Sequence, residues 1–162
     1  MTNISKIYLI FFVIFSCSSE QQQVQRDIQK LLDQCVLAVT TKDIDLYMQG
    51  IPDDFVIKDE NGNYITKKIQ REYALRDWAI IDTTLSNNYV VDSLRVYGDS
   101  AVVFTSQKWK RIMFQKDGVT TDTVLTTQTH REVWKKRKSV WINYKIDELG
   151  GDIFVNGQEY NP

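Results

Sequence analysis

Residues 119–135 read VTTDTVLTTQTHREVWK. No helix wants this stretch. β-Branched Val and Thr lose side-chain freedom in a helix and suit a pleated strand. The run is 17 residues long with no Gly or Pro inside it, so it predicts one long strand. Its neighbours carry the same period of two. Tyr89 to Val96 predicts a strand, Tyr97-Gly98-Asp99-Ser100 a turn, and Ala101 to Phe114 a second long strand. Gln115-Lys116-Asp117-Gly118 turns the chain into the quoted stretch. Arg137-Lys138-Ser139 turns it out again, and Val140 to Asp147 closes an antiparallel meander.

Upstream the period changes. Val24, Ile28, Leu31, Leu32, Cys35, Val36 and Val39 recur at helical spacing, with Arg26, Asp27, Lys30 and Asp33 on the opposite side. This predicts a long amphipathic helix with one face turned to a core. Asp43 is positioned to cap a short second helix holding Ile44, Leu46, Tyr47 and Met48, which Gly50 and Pro52 stop. Asp54 to Lys58 reads as a strand and Asn61-Gly62 as a tight turn, after which Tyr64-Ile65 pairs back. Thr66 caps a third helix to about Ala79, with Ile69, Tyr73 and Ile80 as its expected inner side and Trp78 a further candidate. Helices first and an antiparallel sheet after them make an α+β domain. The sheet is expected to curve around the helices and leave a cone.

The first residues belong to a different physical problem. Lys6 precedes an unbroken apolar run, Ile7 to Phe15, which is too short to span a bilayer core as a helix but fits a signal-peptide apolar region. Ile14-Phe15-Ser16-Cys17 follows and resembles a lipobox, the cleavage and acylation site of a bacterial lipoprotein. The expected organisation is a signal over 1–16, lipid attachment at Cys17, a polar tether over 17–23, the domain over 24–147 and a C-terminal tail over 148–162. The protein is thus expected to be exported and lipid-anchored at the cell envelope, on its periplasmic side or at the cell surface.

Composition excludes several classes. Aromatic residues make up 12% of the chain, which argues against disorder. The formal net charge is −1, so no basic excess exists to neutralise nucleic-acid phosphates. Lys135-Lys136-Arg137-Lys138 is the one basic cluster and is read as a solvated hairpin tip. With one His and two Cys, one of them assigned to lipid, no disulfide framework or catalytic zinc site is expected, and no cofactor is indicated.

Three stretches together resemble the nuclear transport factor 2-like superfamily, which includes SnoaL-like cyclases, ketosteroid isomerase and scytalone dehydratase. They are Asp43-Ile44-Asp45-Leu46-Tyr47, Val96-Tyr97-Gly98-Asp99-Ser100-Ala101-Val102-Val103, and Glu132-Val133-Trp134 through Val140-Trp141. The last turn departs from the pattern, with Arg137-Lys138-Ser139 where Gly is usual, and Asn143 and Lys145 fall where apolar residues are expected. The resemblance implies a cone-shaped fold that hosts enzymes, binding proteins and assembly subunits alike. A ligand in such a cone would meet residues from helices and sheet. Tyr47, Trp78, Trp109 and His130 are the candidate binding residues, with His130 sharing a face with Gln128, Glu132 and Trp134. No catalytic set is assigned. One histidine and scattered carboxylates favour a non-catalytic domain that binds a small molecule or a protein partner. The alternative is an isomerase, dehydratase or cyclase acting on a small apolar substrate. A homodimer through the open sheet face is a third possibility.

Overall fold

A computed structural model describes the backbone of residues 5–58 and 62–160, and the side chains of 19–56 and 62–160. Cys17, the apolar run Ile7–Phe15 and Asn61 fall outside the residues whose side chains are described. Helix α1 runs Ser5–Thr41, so the polar residues expected as a tether continue as helix. Helix α2 is Ile44–Gln49, and the Asp43 carboxylate accepts from the amides of Asp45 and Leu46 as its N-cap. Helix α3 is Lys67–Ala79, capped by the Thr66 hydroxyl. Strands β1 (Val56–Lys58) and β2 (Tyr64–Thr66) form a small antiparallel pair ahead of it.

The main sheet is an antiparallel meander of β3 (Ile81–Tyr97), β4 (Ser100–Phe114), β5 (Thr121–Arg137), β6 (Val140–Val155) and β7 (Gln158–Glu159), in that order. Bulges interrupt β3 near Asp82, Leu85 and Asp92, and interrupt β6 opposite Thr129/His130 and Val133/Trp134. Each bulge adds local twist and bends its strand, so the sheet curves and turns one face toward the helices. The α+β cone expected from the sequence is the observed architecture.

Helix α1 crosses the concave face antiparallel to β3. Val24, Ile28 and Leu32 pack on Val91, Ala101, Val103, Trp134 and Trp141, and Ile28, Ala101 and Val103 have no exposed surface. Burial of this stripe is what holds the helix, since a helix gains most of its stability from an apolar face rather than from propensity. The direction of travel is visible in polar contacts. The Gln29 amide accepts from the Val91 N–H at 2.9 Å and donates to the Tyr89 carbonyl at 2.8 Å, and further along Lys42 Nζ reaches the Ile81 carbonyl.

Two expectations need correction. Tyr73 and Ile80 do not mark the inner side of α3. They are 36% and 49% exposed, whereas Ala74 and Trp78 face the core with Ile81. The last strand does not end at Asp147: β6 continues to Val155 and an Asn156-Gly157 turn, with φ of 52° and 83°, folds β7 back onto it. Gly151 makes that extension possible. A Cβ there would sit 2.0 Å from the Thr127 carbonyl oxygen, so only glycine lets β6 lie this close to β5.

Candidate functional site

Strand alternation places Thr105 on β4 opposite His130 on β5, with Glu132 and Trp134 following on the same concave face. His130 is 7% exposed, Thr105 1%, Trp134 5% and Glu132 fully buried. His130 therefore points inward, with Arg131 and Val133 on the opposite face. At the centre is Glu132. Its Oε1 accepts from the Tyr89 hydroxyl at 2.6 Å and the Thr105 hydroxyl at 2.8 Å. Its Oε2 accepts from Trp134 Nε1 at 2.6 Å and Asn143 Nδ2 at 2.7 Å. Four donors from four strands fill the four acceptor positions that a carboxylate offers. Burying a carboxylate without such partners costs several kcal/mol. Here the partners are built into β3, β4, β5 and β6. Asn143, out of place in an apolar strand, is one of them.

The knot shifts its neighbours. Burial and the Glu132 charge push the Tyr89 phenol well above its ordinary range, and the bond to Glu132 adds to the shift. Burial, with Glu132 as a second cause, pushes the half-buried Cys35 thiol up to about 11. Such a thiol is held as the neutral, unreactive form at physiological pH. His130 Nδ1 lies 3.5 Å from Thr105 Oγ1, and its ring centroid is 5.8 Å from that of Tyr89. An imidazole, a hydroxyl and a carboxylate thus stand in series.

The other nominated residues gather at the opposite end of the concave face. Trp78 is buried at 7% exposure and meets the Tyr47 ring edge-on at 5.5 Å. Both belong to the cluster of Ala74 and Ile81, against which Val39, Ile44, Trp109 and Met113 pack. Burial is also the first cause of a raised Tyr47 pKa, and its hydroxyl accepts from Gln70 Nε2 at 3.2 Å. The Arg111 guanidinium stacks 4.1 Å from the Trp109 ring centre and donates to Thr126 at 3.0 Å. So Tyr47, Trp78 and Trp109 come together, and His130 lies apart from them. Between the two groups the face is polar and half-buried. Gln107 and Gln128 pair across β4 and β5 there, Gln107 donating to Asn87 at 2.9 Å and Gln128 to Glu148 at 3.4 Å.

Beside this floor lies a shallow depression of about 430 Å³, bordered by Asn88, Ser106, Gln107, Lys108, Thr127, Gln128, Thr129 and Asp152, where Gly150 and Gly151 supply no side chains. Among the described residues no cluster of His, Cys, Asp and Glu is arranged to hold a metal ion, and no helix is long and apolar enough to cross a membrane.

No family model and no curated protein matches the chain. Solved structures do. A type 2 hexachlorocyclohexane dehydrochlorinase superposes with a TM-score of 0.64 at 14% identity, covering 90% of this chain and 97% of the other. An NTF2-like protein from Cytophaga hutchinsonii gives 0.54 at 18% identity, covering 76% and 96%. An NTF2-like superfamily protein from Salmonella enterica serovar Typhimurium gives 0.56 at 15% identity, covering 80% and 92%. At these identities the likeness is one of fold: the chain has the nuclear transport factor 2-like cone.

Proposed function

We propose that this protein is an exported lipoprotein, cleaved before Cys17 and acylated there, whose cone binds a small molecule or a protein partner on its concave face without transforming it. The observation that carries the binding reading is the saturation of Glu132. All its acceptor positions are taken by protein donors, so it has none to offer a substrate proton. Its work is to hold four strands in one arrangement. The polar floor of Gln107 and Gln128, with the Trp109 ring on one side and His130 on the other, offers hydrogen bonds and apolar area to an occupant lying between the two clusters.

One observation favours the second reading, an isomerase, dehydratase or cyclase. The His130–Thr105–Glu132 series is an orienting chain of the kind that positions a general base. A fold neighbour, the dehydrochlorinase, is an enzyme by name.

Two measurements test the proposal. Protein recovered from membranes should begin at an acylated Cys17 by mass spectrometry. An intact Met1 or an unmodified Cys17 overturns the anchor. Native mass spectrometry of the same sample should reveal a co-purifying molecule. Returned to stripped protein, that molecule should be recovered unchanged, whereas recovery of an isomerised or dehydrated product establishes the enzyme instead.

A further inference from the structure

We infer that the β5–β6 hairpin tip, Lys135 to Val140, is a contact surface for the anionic phospholipid headgroups of the membrane in which the N-terminus is held. This rests on the assignment of Cys17 as the point of attachment, and adds to it which end of the domain faces the bilayer and what that end touches.

The geometry begins with α1. Gln25 and Gln29 meet the backbone of β3 at Val91 and Tyr89, and Lys42 meets it at Ile81, so the N-terminal end of the helix leaves the sheet at the Val96–Tyr97 end of β3. Among the described residues, Val24 is the last buried apolar residue of α1 toward that end. Cys17 is seven positions earlier in the same helix, about 10 Å further along its axis. Two hairpin turns share this end. The β3–β4 turn sits beside the β5–β6 turn, and the Lys136 N–H donates to the Asp99 carbonyl at 2.8 Å. From buried Trp134 the strand runs three positions to Arg137, about 10 Å, and Lys138 follows in the turn. The hairpin tip therefore projects about as far as the attachment point.

The chemistry of the tip suits a phosphate surface. Lys135, Lys136, Arg137 and Lys138 are all exposed, as are Tyr97 at 60% and Val140 at 52%. Arg137 is held by Asp54 through two contacts of 2.7 Å. The three lysines have no carboxylate partner among the described residues, and Asp99 in the neighbouring turn leaves the tip with a positive excess. The ammonium groups of Lys135 and Lys136 lie over the rings of Tyr144 and Trp141, at 5.0 and 5.9 Å, which positions both charges on the hairpin while the two residues remain exposed. The net charge of the whole chain is −1, so this excess is local. A nearby anionic membrane surface attracts each such cation by about fivefold in affinity. The helical continuity of residues 18–23 matters as well: a helix holds the hairpin at a set height where a flexible tether would let it wander.

The test uses the full chain, recovered from membranes and reconstituted into vesicles of phosphatidylcholine alone or with phosphatidylglycerol added. Flotation reports attachment, and mass spectrometry reports the state of Cys17. Trypsin then reads the surface. Cleavage after Lys138 should slow about tenfold on the anionic vesicles relative to the neutral ones, and about 0.5 M salt should remove the difference. Cleavage after Lys116, in the β4–β5 turn at the far end of the sheet, should be the same on both. The variant Lys135→Gln/Lys136→Gln keeps the Lys138 site and should lose most of the protection. If the protein floats and Lys138 is cut equally on both vesicles, the hairpin inference is overturned while the anchor stands. If Cys17 is unmodified yet Lys138 is protected on anionic vesicles, the inference stands and the anchor assignment falls. Failure to float on either vesicle overturns both.

Discussion

The two halves of the concave face are held together by different physics. Under α1, the sheet is tied by a buried carboxylate with donors from β3, β4, β5 and β6. Under α2 and α3, it is filled by Trp78, Tyr47 and Trp109 against aliphatic neighbours. An apolar cluster degrades gradually, because neighbours relax into part of any cavity. A saturated polar knot does not, because each donor stranded by the loss of its acceptor bears its own desolvation cost. The difference teaches that one site is built for uniqueness of arrangement and the other for bulk.

The most direct way to break the comparison is Glu132→Leu. It strands four donors at once, Thr105 and Trp134 buried and Tyr89 and Asn143 half-buried, and should destabilise the fold by roughly 5 kcal/mol, enough to lower the urea midpoint severely or prevent folding. Glu132→Gln sharpens the result. Its single carbonyl can serve Trp134 and Asn143, while the Tyr89 and Thr105 hydroxyls can rotate to accept from its amide, so a loss of only about 2 kcal/mol is expected. Equal losses in the two variants would mean the knot contributes by volume alone. On the other side, Trp78→Ala should cost about 4 kcal/mol by urea unfolding. That loss should be recovered in part by filling the site with Leu, a rescue with no counterpart at Glu132.

Alkaline titration reaches both halves, since burial raises Tyr47 as well, and a variant isolates the knot's share. Cys35 and Tyr89 are acids whose folded pKa values are raised above their ordinary ones. The unfolded chain therefore loses these protons first as pH rises. The associated stability is complete below about pH 9, the ordinary thiol value, and declines between there and about 11 for Cys35. The Tyr89 contribution declines above pH 10. Unfolding free energy measured from pH 8 to 11 should fall with a steepening slope, and Tyr89→Phe should flatten the part above pH 10. An unchanged slope would mean that Tyr89 does not titrate differently in the two states. The smallest expected effect is at the β5–β6 turn. Lys138 and Ser139 both adopt left-handed backbone, with φ of 46° and 70°, where a two-residue hairpin favours Asn-Gly. Ser139→Gly should raise stability by about 1 kcal/mol, read as a higher midpoint in thermal unfolding.

Legibility followed the range of the interactions. Asp43 and Thr66 announce their helices because a cap acts over three residues. The long strands declare themselves because β-branched residues run without a break. The inward face of His130 follows from alternation once the strand is known. The role of Glu132 has no such local sign. Its partners are Tyr89, Thr105, Trp134 and Asn143, spread over four strands, and only the assembled register brings them together. Asn143 shows the same thing from the other side: a polar residue on an apolar strand signals a buried partner without naming it. The extension of β6 was legible after all. Asn156-Gly157 is as strong a hairpin signal as any in the chain, and the Gly150-Gly151 pair ahead of it interrupts the strand pattern although Gly151 in fact permits close approach to β5. Tyr47, Trp78 and Trp109 stand out in the sequence as large aromatics. Size alone does not distinguish a ring that lines a space from one that fills it.

The Gln29 side chain has a meaning beyond anchoring α1. A primary amide has the same donor and acceptor as a peptide group, and here it takes the Val91 N–H and gives to the Tyr89 carbonyl, as a neighbouring strand would. Strand β3 is the outer strand of the meander, so its backbone groups are a template on which another polypeptide could add. An amide that impersonates a peptide occupies that template at its centre. The protection against aggregation that other proteins obtain from a proline or an inward lysine is supplied here at the strand's centre by a glutamine on a helix, with Gln25 and Lys42 capping further β3 carbonyls.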